Sequence, residues 1–250
     1  MRTVYFLSDF GVRDVYAGVV RAVLRQRAPG AGVVDLAHDL PPGDLRHAAF
    51  QLYAAVPYLE PGGVVLAVVD PGVGTARRAL AVRAERLLYV LPDNGLISLA
   101  AQRDPPQRVW RLEPERWAAG LVSATFHGRD VFAPAAAHLA AGRPPAALGP
   151  EVDAGGLAQL EVDVVPGSEG EVLTFDRFGN AITNLEPEAL PEAVLVSGHR
   201  LPVGRTFADV PPGEALAYRG SSGLLEIAVN RGSARGALGL VEGAAVRLEP

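Results

Sequence analysis

Val64-Val65-Leu66-Ala67-Val68-Val69 is an unbroken apolar run rich in β-branched side chains, and it leads straight into Asp70-Pro71-Gly72-Val73-Gly74-Thr75-Ala76-Arg77-Arg78. Such a run fits a strand buried on both faces, the environment of a central strand in an α/β sheet. The polar loop then leaves the strand end, where open α/β sheets keep their ligand sites. It carries a carboxylate, two glycines that admit close backbone approach, and two guanidinium groups.

The flanking sequence repeats this alternation of apolar runs and amphipathic stretches. Val4 to Leu7 and Val33 to Leu36 read as strands, and Asp14 and Asp44 are placed to cap helices running to about Arg27 and Ala55. Strands are expected at Ala79 to Ala84, Leu87 to Leu91 and Arg108 to Leu112, and helices at Leu96 to Gln102 and Val131 to Ala141, the latter with Pro134 in its first turn. This predicts an N-terminal α/β domain, a mixed or parallel sheet sandwiched by helices, over residues 1–145. Residues 146–168, rich in Pro, Gly and Ala, read as a linker. Beyond them come short, closely spaced strands at Glu171 to Phe175, Ala193 to Ser197, Ala215 to Tyr218, Leu224 to Val229 and Ala245 to Leu248. They predict a small C-terminal β-barrel domain over residues 169–250.

Composition narrows the chemistry. Cysteine is absent, which removes disulfides, thiolate nucleophiles and sulfur-ligated metals. All 23 basic residues are arginine, which removes Schiff-base chemistry and a P-loop lysine. A net charge of −5 without a basic cluster argues against nucleic acid as a partner. There is no apolar run long enough to cross a membrane, and Met1-Arg2-Thr3 precedes a strand rather than a signal sequence, so a soluble cytoplasmic protein is expected.

Four polar clusters interrupt the first domain: Ser8-Asp9-Phe10-Gly11, Asp70 to Arg78, Pro92-Asp93-Asn94-Gly95 and Phe126-His127-Gly128-Arg129-Asp130. Asp9 is either a ligand or a turn cap, and Asp93-Asn94-Gly95 by itself reads as a turn with Asn and Gly supplying positive φ. His127 lies in a density of functional groups that a core would satisfy only at a cost, which favours function. His38, in Asp35-Leu36-Ala37-His38-Asp39, has no second histidine at ligand spacing and reads as structural. His47, His138 and His199 are expected to face solvent. In the second domain Asp176, Asn180 and Asn184 could build a hairpin turn, but an amide also suits an adenine edge and a carboxylate an ammonium group. The Gly220-Ser221-Ser222-Gly223 loop would leave room for a ligand carboxylate and expose backbone amides to it.

Taken together, Leu7-Ser8-Asp9-Phe10-Gly11, Val69 to Thr75, Pro92 to Gly95, Phe126 to Asp130, Phe178-Gly179-Asn180 and Leu225-Glu226-Ile227-Ala228 resemble the S-adenosyl-L-methionine (SAM) hydroxide adenosyltransferases. These adenosine-forming SAM hydrolases are relatives of fluorinase and chlorinase. The resemblance spans about Val4 to Val246, in order. It implies an α/β domain followed by a β-barrel, and a homotrimer whose sites lie between the first domain of one subunit and the second domain of the next. It also implies SAM as substrate, with no cofactor and no metal. The implied reaction is in-line attack of water or hydroxide on the ribose C5′, with L-methionine leaving. The family's Asp-Arg-His triad falls on Asp70, Arg77 and His127, so Arg78 is read as structural. For binding, the resemblance carries Asp9 to the ribose hydroxyls, Phe126 to the wall against the nucleoside and Asp176 to the methionine ammonium, with Asn94 as a further substrate-binding residue. It carries Phe178 and Asn180 to adenine and Ser221 to the methionine carboxylate, and counts Arg231 among the substrate-binding residues. Ser222 departs from the arginine of fluorinase-type sequences.

Three other readings stand beside this one. A halogenase of the same superfamily would replace the Asp and His of the triad and carry an insertion that is absent between Asn94 and Trp110. A non-catalytic SAM or adenosine sensor would bind without turnover. A metal-dependent phosphohydrolase would be built on Asp9, Asp35, His38 and Asp70.

Overall fold

The computed structural model describes residues 1–117 and 120–249; Pro250, the last residue of the expected second domain, lies outside them. The chain divides into two compact units, Met1–Leu160 and Glu161–Pro250.

The first unit runs β1 (Val4–Ser8), α1 (Tyr16–Arg27), β2 (Val33–Ala37), α2 (Leu45–Ala55), β3 (Val64–Val68), β4 (Ala79–Ala84), β5 (Leu88–Pro92), α3 (Ser98–Arg103), β6 (Pro106–Arg111), α4 (Ala133–Ala140) and β7 (Glu151–Val152). Its sheet has the order β2-β1-β3-β5-β4-β6-β7, parallel from β2 through β5 and antiparallel from β5 to the β7 edge. Alternate residues of the central strands supply two cores, as the period of a strand requires. Phe6, Val64, Leu66, Val68 and Val90 pack under α1 and α4 on one face. Tyr5, Leu7, Val65, Ala67 and Tyr89 pack under α2 and α3 on the other. Hence the apolar run through Val69 does not alternate: both faces of β3 are covered.

Asp44 caps α2 as expected, its carboxylate accepting the His47 N–H at 2.9 Å. Asp14 does not cap α1. Val15 holds the N-cap position with helical dihedrals and no side-chain bond, and a capping side chain needs extended backbone there. The helix expected from Val131 is preceded by one wide π-helical turn, Gly128–Phe132, before α4 begins. The stretch read as a linker splits: β7 pairs with β6, Leu157 joins the core beneath α3, and residues up to Leu160 belong to the first unit.

The second unit contains β8 (Glu169–Phe175), β9 (Ala181–Thr183), β10 (Ala193–Val196), β11 (His199–Pro202), β12 (Ala215–Arg219), β13 (Leu225–Val229), α5 (Ala234–Ala237) and β14 (Ala245–Glu249). Neighbouring strands pair antiparallel in the order β11-β10-β14-β8-β9-β13-β12. A single bridge between Val203 and Ala217, with the Gly204 N–H bonded to the Ala217 carbonyl, brings the two edges together. The result is the nearly closed barrel the strand spacing predicts. β9 and β11 are additional short strands.

Candidate active site

Ser8 pairs with Val68, and Pro92 with Ala79, so β1, β3, β5 and β4 all end or begin along one edge of the first unit's sheet. The four polar clusters of this unit include three that leave from that edge. The loop from Asp70 to Arg78 follows the most demanding path of the three. It leaves β3, passes the end of β5 and enters β4, because β5 lies between them in the sheet. Two side chains hold that crossing in place. Asn94 Nδ2 donates to the Val69 carbonyl at 2.9 Å, and Arg78 Nε donates to Asp93 Oδ2 at 2.6 Å. Arg78 Nη2 also donates to the Gly156 carbonyl and Asp93 Oδ1 accepts the Ala158 N–H, which gives Arg78 the structural part expected of it. Of the Asn94-Gly95 pair only Gly95 takes a positive φ.

Inside the loop, Arg77 spans the other two members of the expected triad. Its Nε donates to Asp70 Oδ1 at 2.8 Å, its Nη2 donates to Asp70 Oδ2, and the same Nη2 lies 2.8 Å from His127 Nδ1. The two charged side chains are nearly enclosed, at 6% and 10% exposure for Asp70 and Arg77, so their pairing is little screened. Arg77 also lies over the Phe132 ring, 5.3 Å from its centroid. Gly74 lets this loop approach the segment before His127: it has φ +78°, and a Cβ there would stand 2.5 Å from the Ala124 carbonyl oxygen.

A guanidinium only donates, so the short contact to Arg77 makes His127 Nδ1 an acceptor and leaves the proton on Nε2. Burial, and then the neighbouring Arg77 charge, push the His127 imidazole below its ordinary pKa, while Asp70 and Asp130 pull the other way. The ring is therefore neutral near pH 7. Protonation on acidification would set an N–H against Arg77, so activity that needs this arrangement falls as pH drops below the ordinary imidazole range. In an NMR titration of Arg77→Gln, the His127 midpoint is expected to move up, but only part of the way, because burial remains. An unchanged midpoint would contradict the contact.

Around the triad, Phe126 meets Phe10 and Tyr16 edge-on, with centroids 5.8 and 5.3 Å away. Gly128 allows this, since a Cβ on it would sit 2.8 Å from Phe10 Cζ. Asp9 Oδ2 accepts the Gly43 N–H at 2.9 Å and keeps its other oxygen for a further donor. His38 is buried against Ser8 and Asp35, as a structural residue would be. His199 is exposed, whereas His47 and His138 are half-buried.

The second unit holds the remaining predicted residues. Asp176 builds a turn: Oδ1 accepts the Phe178 and Asn180 N–H groups, both at 2.9 Å, and Oδ2 accepts Asn180 Nδ2 at 2.8 Å. That turn pushes the Phe178 ring into solvent, at 75% exposure, and keeps Asn180 buried. Phe178, Asn180 and Arg231 line a cavity of 610 Å³ within this unit. Arg231 lines it with φ +56°, a left-handed backbone rare for a long side chain. Ser221 lies exposed in the Gly220–Gly223 turn. One aromatic escaped sequence reading. Phe207 lines the same cavity and packs edge-on against Tyr218, with centroids 5.1 Å apart; its only signal was a lone exposed Phe in a loop.

Known proteins share this sequence and fold. A family model for the SAM hydroxide adenosyltransferase N-terminal domain matches residues 4–149, and one for the C-terminal domain of the same family matches residues 170–247. The chain is 63% identical, over 99% of its length and 100% of the relative's, to the (R)-S-adenosyl-L-methionine hydrolase of Thermus thermophilus. It superposes with a TM-score of 0.90 and 61% identity on the crystal structure of a conserved hypothetical protein from Thermus thermophilus, covering 99% of this chain and 100% of that one. A fluorinase from Actinopolyspora mzabensis is 25% identical over 97% of this chain and 95% of that protein. The chain thus belongs to the SAM hydroxide adenosyltransferase family.

Proposed function

We propose that this protein hydrolyses SAM to adenosine and L-methionine. The observation that carries the reading is the connected Asp70–Arg77–His127 chain at the sheet edge, on a member of this family. A C5′–O bond forms as the C5′–S bond breaks, and the sulfonium takes the bonding pair to leave as a neutral thioether. Sulfur of that kind needs no acid to depart, so what the protein must supply is the nucleophile and its alignment. Arg77 favours the hydroxide form of a bound water, and the unused lone pairs of Asp70 receive the water's proton. His127 Nε2–H, whose direction follows from the Arg77 contact, is a donor that orients the same water.

Asp9 then takes the ribose hydroxyls, with Phe126 and Asn94 on the nucleoside side. Asp176 has one lone-pair position left after building its turn, which suits the methionine ammonium. Phe178, Phe207, Asn180 and the Arg231 backbone receive adenine, and Ser221 receives the carboxylate. The homotrimer that the resemblance implies belongs to this proposal, and light scattering should give three times the 26.2 kDa chain mass. The name of the Thermus relative specifies the (R) form, so the (R)-sulfonium epimer is the expected substrate here.

Chromatography of SAM incubated with the protein tests the reading. Adenosine should appear, faster from the (R) than from the (S) epimer, and added chloride should leave the product unchanged. Formation of 5′-chloro-5′-deoxyadenosine would make the protein a halogenase, and tight binding without turnover a sensor.

A further inference from the structure

The Ser8–Gly11 loop, which carries Asp9 and Phe10, is shaped by a residue that the proposed SAM site does not use. His38 follows β2, is 5% exposed, and leans on Phe6 with ring centroids 4.4 Å apart. Its Nδ1 is 2.7 Å from Ser8 Oγ and its Nε2 is 3.0 Å from Asp35 Oδ1. Arg21 Nε on α1 donates to that same Asp35 oxygen at 2.9 Å. Burial would raise the Asp35 carboxyl, yet the bonds from Arg21 and His38 bring it below its ordinary value, so it is an ionised acceptor.

The carboxylate end fixes the first direction in this chain of bonds. A carboxylate only accepts, so His38 Nε2 carries the proton. In the Nε2–H tautomer Nδ1 is bare, and the buried Ser8 hydroxyl then donates to it. The lone pairs of Ser8 Oγ then face the Phe10 N–H, 3.4 Å away. The His38 carbonyl meanwhile accepts the Gly11 N–H at 2.7 Å. One residue thus holds both flanks of the Asp9-Phe10 pair, through its ring by way of Ser8 and through its own backbone.

We propose that His38 is a positioning residue for substrate binding: as the Nε2–H tautomer it orients Ser8, and through Ser8 the backbone that presents Asp9 and Phe10. The proposal rests on the reading of Asp9 as the acceptor for the ribose hydroxyls. His38 and Ser8 are both buried, and in this proposal they act through the backbone they hold.

Two amides separate this role from simple core packing. His38→Asn puts an amide where Nδ1 stood and keeps an acceptor for Ser8, whereas His38→Gln puts it where Nε2 stood and keeps only Asp35. His38→Asn is expected to hold KM for SAM within about twofold, the scale of a bond preserved. His38→Gln and Ser8→Ala should raise it roughly tenfold, the scale of a lost hydrogen bond, with kcat nearly unchanged in all three. Equal KM values in the Asn and Gln variants, or a fall in active enzyme at constant KM, would overturn the proposal and leave His38 a packing residue. Imidazole 15N spectra of the wild type provide a test that needs no variant: the proton is expected on Nε2, and finding it on Nδ1 overturns the assignment. If the wild type binds SAM but releases no adenosine, the hydrolase reading fails separately, and Kd values for SAM across the same variants decide the positioning role.

Discussion

Arg77→Gln is expected to lower kcat for adenosine formation by about a thousandfold, the scale on which preorganised charge acts in an enclosed site. The variant loses three contacts together, two to Asp70 and one to His127, and with them the charge that favours hydroxide. It also leaves Asp70 nearly buried without its partner, which costs about 3–5 kcal/mol of stability. Loss of activity in the single variant is therefore ambiguous. Asp70→Asn combined with Arg77→Gln removes the ion pair but leaves no lone charge, so thermal stability should recover toward wild type while turnover stays lost. Recovery of turnover in the double variant would show that the pair is scaffolding, and that the nucleophile is activated elsewhere. Arg77→Lys should resemble Gln in rate, since an ammonium cannot bridge a carboxylate and an imidazole with one planar fork.

An equally large expected effect on stability lies away from the site, at Asp104. This carboxylate is wholly buried and accepts the Arg86 N–H at 2.7 Å, the Leu87 N–H at 3.1 Å and the Tyr89 hydroxyl at 2.9 Å. It ties the end of α3 to the turn that leads into β5. Asp104→Ala would leave two backbone donors and a buried phenol without partners, a loss of about 3–5 kcal/mol. For a unit of this size the melting temperature should fall by about 10 °C. Chemical denaturation checks the figure. Tyr89→Phe should cost only about 1 kcal/mol, because the carboxylate keeps its two amides. A stability loss in Asp104→Ala no larger than that of Tyr89→Phe would mean that water replaces the carboxylate.

Much of the fold was legible because its elements obey simple periods. β3 reads as a doubly covered strand from six residues alone, and Asp44 announces the start of α2. Asp14 misled because the same residue type also occurs where the chain has already turned helical at Val15. β9 and β11 are too short to show alternation, and they exist because neighbouring strands supply their bonds. In the site, Asp70 and Arg77 share one loop and could be found from its position after β3. His127, fifty residues on, joins them only through the fold, and sequence could suggest it only by the density of polar groups around it and by family resemblance. The tether between Ser8 and His38, and the place of Phe207 beside Phe178, depend on side-chain direction, which no spacing rule reports.

The path of the loop between β3 and β4 has a consequence for how such a protein can change. Strands in a sheet stand about 4.8 Å apart, so a chain that steps over β5 must cover about 10 Å whatever its sequence. It has nine residues, Asp70 to Arg78, for that step, and it is pinned near its start by Asn94 and at its end by Asp93. Nine extended residues could reach about 30 Å, so it is these pins and the Arg77–Asp70 bonds, not the span, that an added or deleted residue would disturb by sliding Arg77 relative to Asp70. Length variation should accordingly collect in other loops of the first unit, while this one varies by substitution only. An inserted glycine between Gly74 and Thr75 would serve as a ruler for that constraint.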